Sequence, residues 1–169
     1  MKISMYQASI PVFIHSMKCL IGILEKGLKH AEARNFDPAV LVNSRIAPDM
    51  FPLSRQVQIV TDQAKGCGAR LAGLEPPKFE DNETTIPELI ARINRTIEYL
   101  QTLKPAQIDG TEDKAITLTF PGRTFNFVGH AYLLNFVIPN VFFHMTMTYA
   151  LLRHNGVDVG KQDFIGKIE

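Results

Sequence analysis

Several features that would place a protein in a known class are scarce or missing in this sequence. It has no tryptophan and only two cysteines, Cys19 and Cys67, which lie far apart inside apolar helical patterns. Such cysteines predict reduced core thiols in a cytoplasmic protein, not a disulfide framework. The 18 lysines and arginines nearly balance the 17 aspartates and glutamates, so the net charge is +1. This balance gives no indication of nucleic-acid binding.

The motifs of the common enzyme classes are also missing. The chain has no His-Glu-x-x-His or Cys-x-x-Cys metal spacing, no phosphate-binding loop, no nucleophile elbow and no dinucleotide-binding fingerprint. Its amino terminus lacks the unbroken apolar stretch and the small-residue cleavage site of a signal peptide. A chain of 169 residues is the size of one domain, and we expect a single domain over residues 1–169.

The longest uncharged stretch covers residues 124–152, between Arg123 and Arg153. A membrane-spanning helix needs about 20 predominantly apolar residues, so the stretch is long enough to span a bilayer. It also contains five side chains that are costly in lipid: Asn126, His130, Asn135, Asn140 and His144. We therefore predict a buried helix in a bundle and no membrane association.

Helical periodicity predicts two helices in the first half of the chain. Apolar residues from Ile10 to Leu28 recur at three-and-four spacing, in a helix that begins or kinks at Pro11. A proline-rich connection follows, with room for only a short helix around residues 39–43. The second helix is expected to run from near Pro52 to Gly73, because glycine commonly ends helices.

Two further helices are predicted in the second half. Thr85 and Glu88 form a capping box at the start of the third helix, and Pro105 ends it. The fourth begins around Gly129 and finishes at Gly156, with Pro139 in its middle.

Between them, residues 115–127 alternate in polarity, with Ile116, Leu118 and Phe120 on one face and a turn at Pro121-Gly122. This pattern predicts a small β-hairpin. The fold class is therefore all-α: a four-helix bundle with one hairpin between the third and fourth helices.

A polar stripe marks the predicted fourth helix. Asn140, His144 and Thr148 are four residues apart, so they share one helix face in a region that otherwise rejects polarity. Buried polar groups must be paired, which indicates either a structural hydrogen-bond network or an occupied pocket. Both interpretations remain open at this level.

The other histidines are weaker candidates. His30 and His154 lie in last helical turns, where they suit the helix dipole, and His15 borders the apolar face of the first helix. His130 shares a face with His144, but fourteen residues of helix separate them by about 21 Å, too far for one metal.

Two segments carry a family resemblance. The first is Pro139-Asn140-Val141-Phe142-Phe143-His144, continuing through Tyr149, Leu152-Arg153-His154-Asn155-Gly156-Val157 and Gly160-Lys161-x-Asp163-Phe164; the second is Asp49-Met50-Phe51-Pro52-Leu53 with Gln56, Asp62, Lys65 and Arg70-Leu71-Ala72-Gly73. Together they resemble an uncharacterised bacterial family of the DinB/YfiT-like superfamily. The resemblance implies a DinB-like four-helix bundle, commonly a homodimer, and a superfamily in which many members hold a divalent metal with three histidines.

The resemblance also implies where a metal site would lie. Asn140 and His144 match the His-x-x-x-His positions of the last helix, so one ligand is an amide here. Asp62 is nearest to the position of the third histidine, with Gln58 one turn before it. The implied site is thus His144, Asn140 and Asp62 around zinc, nickel or manganese, with Gln58 and Thr148 lining the pocket.

Two functional hypotheses follow. In the first, the protein is a non-catalytic bundle, or one with a degenerate metal site, that binds a small molecule or a partner. In the second, it is a metal-dependent transferase or hydrolase in which the ion polarises the substrate or lowers the pKa of bound water. The incomplete ligand set favours the first, and the sequence does not decide whether the protein is an enzyme.

Overall fold

The protein is described by a computed structural model that covers residues 3–167. In chain order its helices are α1 (Ile10–Ala33), α2 (Ala39–Val42), α3 (Leu53–Ala72), α4 (Ile86–Thr102), α5 (Pro105–Ile108), α6 (Gly129–Ala131), α7 (Ile138–His154) and α8 (Lys161–Ile165). A π-helical segment, Tyr132–Val137, joins α6 to α7. The expected fold is confirmed in its coarser form, a mostly helical chain with one small hairpin. The predicted number of four helices is not confirmed, because short helices accompany the four long helices α1, α3, α4 and α7.

The helix boundaries follow from their capping residues. Pro11 lies in the first turn of α1, where a backbone N–H would have no partner within the helix, so the N–H that proline lacks is not needed. Gly73 ends α3 with φ 76°, a left-handed conformation that glycine adopts without steric cost. At the start of α4, the amide of Glu88 donates to Thr85 Oγ1 at 3.3 Å and the amide of Thr85 donates to Glu88 Oε2 at 2.9 Å. These reciprocal bonds confirm the predicted capping box.

The predicted fourth helix is helical from Gly129 to His154 but not uniform in type. Pro139 has no backbone N–H to donate and its ring crowds the carbonyl four residues earlier. The wider π-helical turn lies immediately before this proline. Within residues 3–167, no helix combines the length and apolarity needed to cross a bilayer.

Helix α3 lies at the centre of the packing, against α7 on one side and α4 on the other, and α1 completes the core by packing on α4. The buried side chains are mainly aliphatic, with examples on each long helix: Leu20, Val60, Ile93 and Val141. Burying such side chains is the main favourable contribution to folding. Cys67 belongs to this core, whereas Cys19 is only half-buried, so the prediction of two core thiols is correct for Cys67 alone.

Strands β1 (Ala115–Phe120) and β2 (Arg123–Val128) form the predicted antiparallel hairpin. Ile116 pairs with Phe127 and Leu118 with Phe125, and these residues share the face toward the core. Ile116 and Leu118 are buried, but Phe120 at the tip is 45% exposed. The hairpin therefore extends beyond the core that its base covers.

Candidate functional site

His144 lies in α7 where that helix packs against α3. It is 9% exposed, and its Nδ1 is 2.6 Å from Oε1 of Gln56 in the first turn of α3. Gln56 is itself buried. The imidazole thus bridges two packed helices through a side-chain amide.

The orientation of the Gln56 amide decides which ring nitrogen of His144 carries the proton. Gln56 Nε2 donates to the backbone carbonyl of Phe51 at 3.1 Å, so the amide oxygen is the atom that faces the ring. A carbonyl oxygen only accepts hydrogen bonds, and Nδ1 must therefore carry the hydrogen and donate it. The neutral ring then has an unprotonated Nε2 with a free lone pair.

Both the burial and the charge around His144 favour the neutral ring. Burial lowers the pKa of the His144 imidazole, and the nearby Arg55 guanidinium lowers it further. His144 Nε2 has no hydrogen-bond partner in residues 3–167, and the one buried side-chain N or O atom without a partner there is the Tyr99 hydroxyl. His144 Nε2 is therefore not sealed from solvent.

The other two members of the polar stripe are satisfied within their own helix. Asn140 Nδ2 donates to the carbonyl of Phe136 at 2.7 Å, and Thr148 Oγ1 donates to the carbonyl of His144 at 3.0 Å. Such bonds to the preceding turn are a common way for buried hydroxyl and amide groups to be paired. Only His144 reaches another helix, so the stripe is not one connected network.

Asp62 and Gln58 belong to a separate cluster between α3, α4 and the loop that joins them. We call it the Arg92 network; it consists of Arg92, Asp62, Asp81, Glu83, Thr61, Arg55, Gln58 and Lys65. Asp62 accepts from Arg92 Nη2 at 2.7 Å and is also paired with Lys65. Gln58 bonds Arg55 at 3.2 Å and Glu83 at 3.0 Å.

The structure shows few ligands for a divalent metal around His144. Sites for zinc and similar ions are built from imidazole, thiolate and carboxylate groups, and the charged group beside His144 is the cation of Arg55. The part of the chain that the structure describes holds no group of three or more His, Cys, Asp or Glu residues able to hold a metal ion. Asp62 makes no hydrogen bond there with the residues around His144. Metal binding by His144, Asn140 and Asp62 stays a prediction.

An exposed aromatic ring lies next to His144. The ring of Phe143 meets the His144 imidazole edge to face at 5.1 Å between centroids, and Phe143 is 56% exposed. Phe51, whose carbonyl holds Gln56, is 54% exposed. We call Gln56, His144, Phe51 and Phe143 the His144 site; Arg55 of the Arg92 network lies beside it. The site offers one neutral acceptor beside exposed aromatic surface, without a paired nucleophile and base.

The remaining histidines and the thiols have structural surroundings. His15 Nε2 bonds the carbonyl of Ile165 at 2.7 Å, and His130 Nδ1 bonds the carbonyl of Glu112 at 3.1 Å. The His30 ring packs edge to face on Phe36. Burial raises the pKa of the Cys19 and Cys67 thiols, so neither is an activated thiolate.

Gln56 is the member of the site that sequence reasoning missed. It lies three residues after Leu53 and four before Val60, both of which are buried, so it occupies a core position of α3. A polar side chain at a core position requires a partner inside the protein. The same periodicity that predicted α3 contained this signal.

Comparison with known proteins agrees with this structure. The family model of DUF1993, a domain of unknown function, matches residues 5–165. The crystal structure of a DinB family member protein from Shewanella denitrificans is similar, with a TM-score of 0.87 and 39% sequence identity over 96% of this chain and 92% of that chain. No curated protein matches. The resemblance inferred from the sequence is confirmed, and these matches name no reaction.

Proposed function

This chain belongs to the DUF1993 family, and we propose that it is a non-catalytic protein that binds a small molecule at the His144 site. The observation that carries the proposal is the fixed tautomer of His144. Its Nδ1–H is committed to Gln56, and its Nε2 is an unpaired acceptor within the described residues. A buried imidazole held this way is preorganised to receive one hydrogen bond from outside.

The surroundings of Nε2 define the chemistry of the ligand. The ligand must donate a hydrogen bond, because Nε2 only accepts in this tautomer. The exposed ring of Phe143 beside His144 favours an apolar or aromatic body next to that donor. Arg55 lies close enough to lower the pKa of His144, so it disfavours a cationic ligand. A neutral hydroxyl compound with an aromatic ring combines these properties.

The test combines imidazole NMR with a titration of phenol as the probe. Long-range ¹H–¹⁵N spectra of the ring should show Nδ1 protonated and Nε2 unprotonated at pH 7.5, and phenol should shift the Nε2 resonance. His144→Phe should abolish the phenol response, whereas the matched exposed change His154→Phe should leave it intact. A protonated Nε2 in the free protein, or equal phenol binding by both variants, would contradict the proposal.

The alternative function, a divalent-metal-dependent transferase or hydrolase, has one observation in its favour. Histidines that bind metals usually donate their second ring N–H to a neighbouring group, as His144 does to Gln56. Against it, Asp62 is already paired with Arg92 and Lys65. Elemental analysis of dialysed, untagged protein separates the two. Near one equivalent of zinc, nickel or manganese per chain, absent in His144→Ala, would replace the binding proposal with the metal-dependent one.

We also propose a cytoplasmic homodimer. The dimer is what the resemblance to the DinB/YfiT-like superfamily implies. The location is supported by two free cysteines, one of them deep in the core, as expected in a reducing compartment.

A further inference from the structure

A groove with a volume of about 1140 Å³ lies between α1 and α8. The groove follows one stripe of α1, from Pro11 through Lys18, Gly22 and Glu25 to Lys29, and the carboxyl-terminal segment around Asp163 forms its other wall. These α1 positions recur at three- and four-residue intervals, so they form a single face more than four turns long. A face of this length suits another helix.

Gly22 lies in the middle of this face, and no contact within residues 3–167 explains it. A Cβ added at Gly22 would have no heavy atom of these residues within 4 Å. At Gly27, the other glycine of α1, a Cβ would lie 3.1 Å from Leu152, so tight packing accounts for that residue. Glycine weakens a helix interior relative to alanine. Its use at an open position in the groove leaves room for close approach from outside.

Two exposed charges flank Gly22 on the same side. Lys18 is four residues before it and Glu25 three residues after it, about 6 Å and 4.5 Å away along the helix axis. Successive side chains of a helix are about 100° apart around its axis. Lys18 and Glu25 therefore both lie within about 60° of Gly22 around the axis of α1, and on the same side of it. Neither forms an ion pair within residues 3–167.

We propose that this face of α1 is the interface of the homodimer, with two antiparallel α1 helices crossing at Gly22. A two-fold axis perpendicular to both helices places Lys18 opposite the partner's Glu25, and Glu25 opposite the partner's Lys18. One contact therefore occurs twice, as an isologous interface requires. A parallel arrangement would instead bring Lys18 beside the partner's Lys18. The interface rests on the homodimer proposed above and adds the surface that forms it.

The rest of the groove is compatible with a second copy. Lys26 is neutralised by Asp163 at 2.8 Å in its own chain, so it adds no net repulsion. The same two-fold axis places Lys26 opposite the partner's Cys19, which is small and half-buried. Ile14, also in the groove, is half-buried and supplies apolar surface toward one end of the crossing.

Charge reversal tests the interface by sedimentation equilibrium. Lys18→Glu replaces two attractive pairs with two carboxylate pairs, and Glu25→Lys replaces them with two ammonium pairs, so each change should weaken dimerisation at least tenfold. The double variant Lys18→Glu/Glu25→Lys restores attraction and should dimerise like the parent chain. Glu98→Lys on α4, also exposed, is the matched control and should have no effect. Circular dichroism melting shows that each variant is folded.

Crosslinking gives an independent measurement. In a Cys19→Ser background, Gly22→Cys places a thiol next to the two-fold axis, so mild oxidation should give a disulfide-linked dimer in high yield. Glu98→Cys in the same background should not crosslink. A parent dimer that the single reversals leave intact, without crosslinking through position 22, would overturn this interface but keep the homodimer. A parent chain that sediments only as a monomer would overturn both.

Discussion

Helix α3 carries two polar sites that differ in how completely their groups are paired. On its α4 side, the Arg92 side chain is 2% exposed and donates to Thr61 at 2.7 Å, the Glu80 carbonyl at 2.8 Å and three carboxylates. On its α7 side, the His144 side chain makes one hydrogen bond within residues 3–167, to Gln56, and its Nε2 has no partner there. Buried charge is tolerated only with full pairing, which the Arg92 guanidinium has. The open Nε2 of His144 is the observation on which the proposed binding site rests.

The Arg92 network and the His144 site also differ in the parts of the molecule that they connect to α3. The Arg92 network holds the connection between α3 and α4, because Glu80, Asp81 and Glu83 all lie in that loop. The His144 site joins α7 to α3 through one side-chain hydrogen bond, since Asn140 and Thr148 bond within their own helix. Loss of the first should therefore be measured as stability, and loss of the second mainly as binding.

Removal of the Arg92 guanidinium should have the largest effect on the free energy of unfolding. Arg92→Met keeps most of the side-chain volume but leaves Asp62, Asp81 and Glu83 together without their shared guanidinium. Breaking one side of a buried ionic cluster typically costs about 3–5 kcal/mol. Asp62 and Asp81 are partly exposed and keep Lys65 and Arg55 as partners, so we expect a loss near the lower end of this range in urea unfolding at pH 7. Arg123→Met, at an exposed position of β2, is the control. A loss below about 1 kcal/mol would mean that the Arg92 network is not what stabilises the loop.

Asp62→Asn tests whether this carboxylate belongs to the Arg92 network or to the His144 site. The amide retains an acceptor for Arg92 but removes the charge next to Lys65, so we expect a loss of about 1–3 kcal/mol in urea unfolding. The phenol response of His144 should not change. Asp158→Asn, at an exposed position, should change neither quantity. If Asp62→Asn instead altered binding at His144 without affecting stability, the separation of the two sites would be wrong.

The local sequence predicted the helix ends and the hairpin, because the signals for these features lie within a few residues. Thr85 with Glu88 and the left-handed Gly73 are such signals, and the structure confirms both. The sequence placed Pro139 in the middle of the last helix but did not indicate that a π-helical turn precedes it. The exposure of Phe120 was also hidden, because alternation defines a face of the hairpin but not how far the core beneath it extends.

The sequence predicted only part of the candidate site, because its two main residues are far apart in the chain. His144 was identified because it is polar in an apolar helix, a property of its own segment. Its partner Gln56 is 88 residues away in the sequence, and only the packing of α3 on α7 shows the pairing. The resemblance directed attention to Asp62 instead. The charge pattern could not show that Arg92 takes up this carboxylate, because the choice depends on how α3 and α4 face each other.

The smallest effect is expected in the pH dependence of the free energy of unfolding. It distinguishes the His144 site from the Arg92 network, because the guanidinium of Arg92 does not titrate near neutral pH. Burial and Arg55 lower the pKa of His144 below its ordinary value of about 6.5. Between the two values the unfolded chain binds more protons than the folded one, so stability must fall as the pH drops from 6.5 toward the folded pKa. This contribution cannot exceed about 1.4 kcal/mol per pH unit for one proton.

Urea unfolding of the parent chain and of His144→Gln at pH 7.5, 6.5 and 5.5 isolates this contribution. The other four histidines are present in both proteins, so their effects cancel in the difference. We expect the free energies of unfolding of the two proteins to differ least at pH 5.5, because the parent chain alone loses the stability linked to a neutral His144. Parallel curves over the whole range would show that His144 takes up a proton as readily in the folded chain as in water. The lone pair of Nε2 would then be available to solvent protons, and the tautomer held by Gln56 would not define a site.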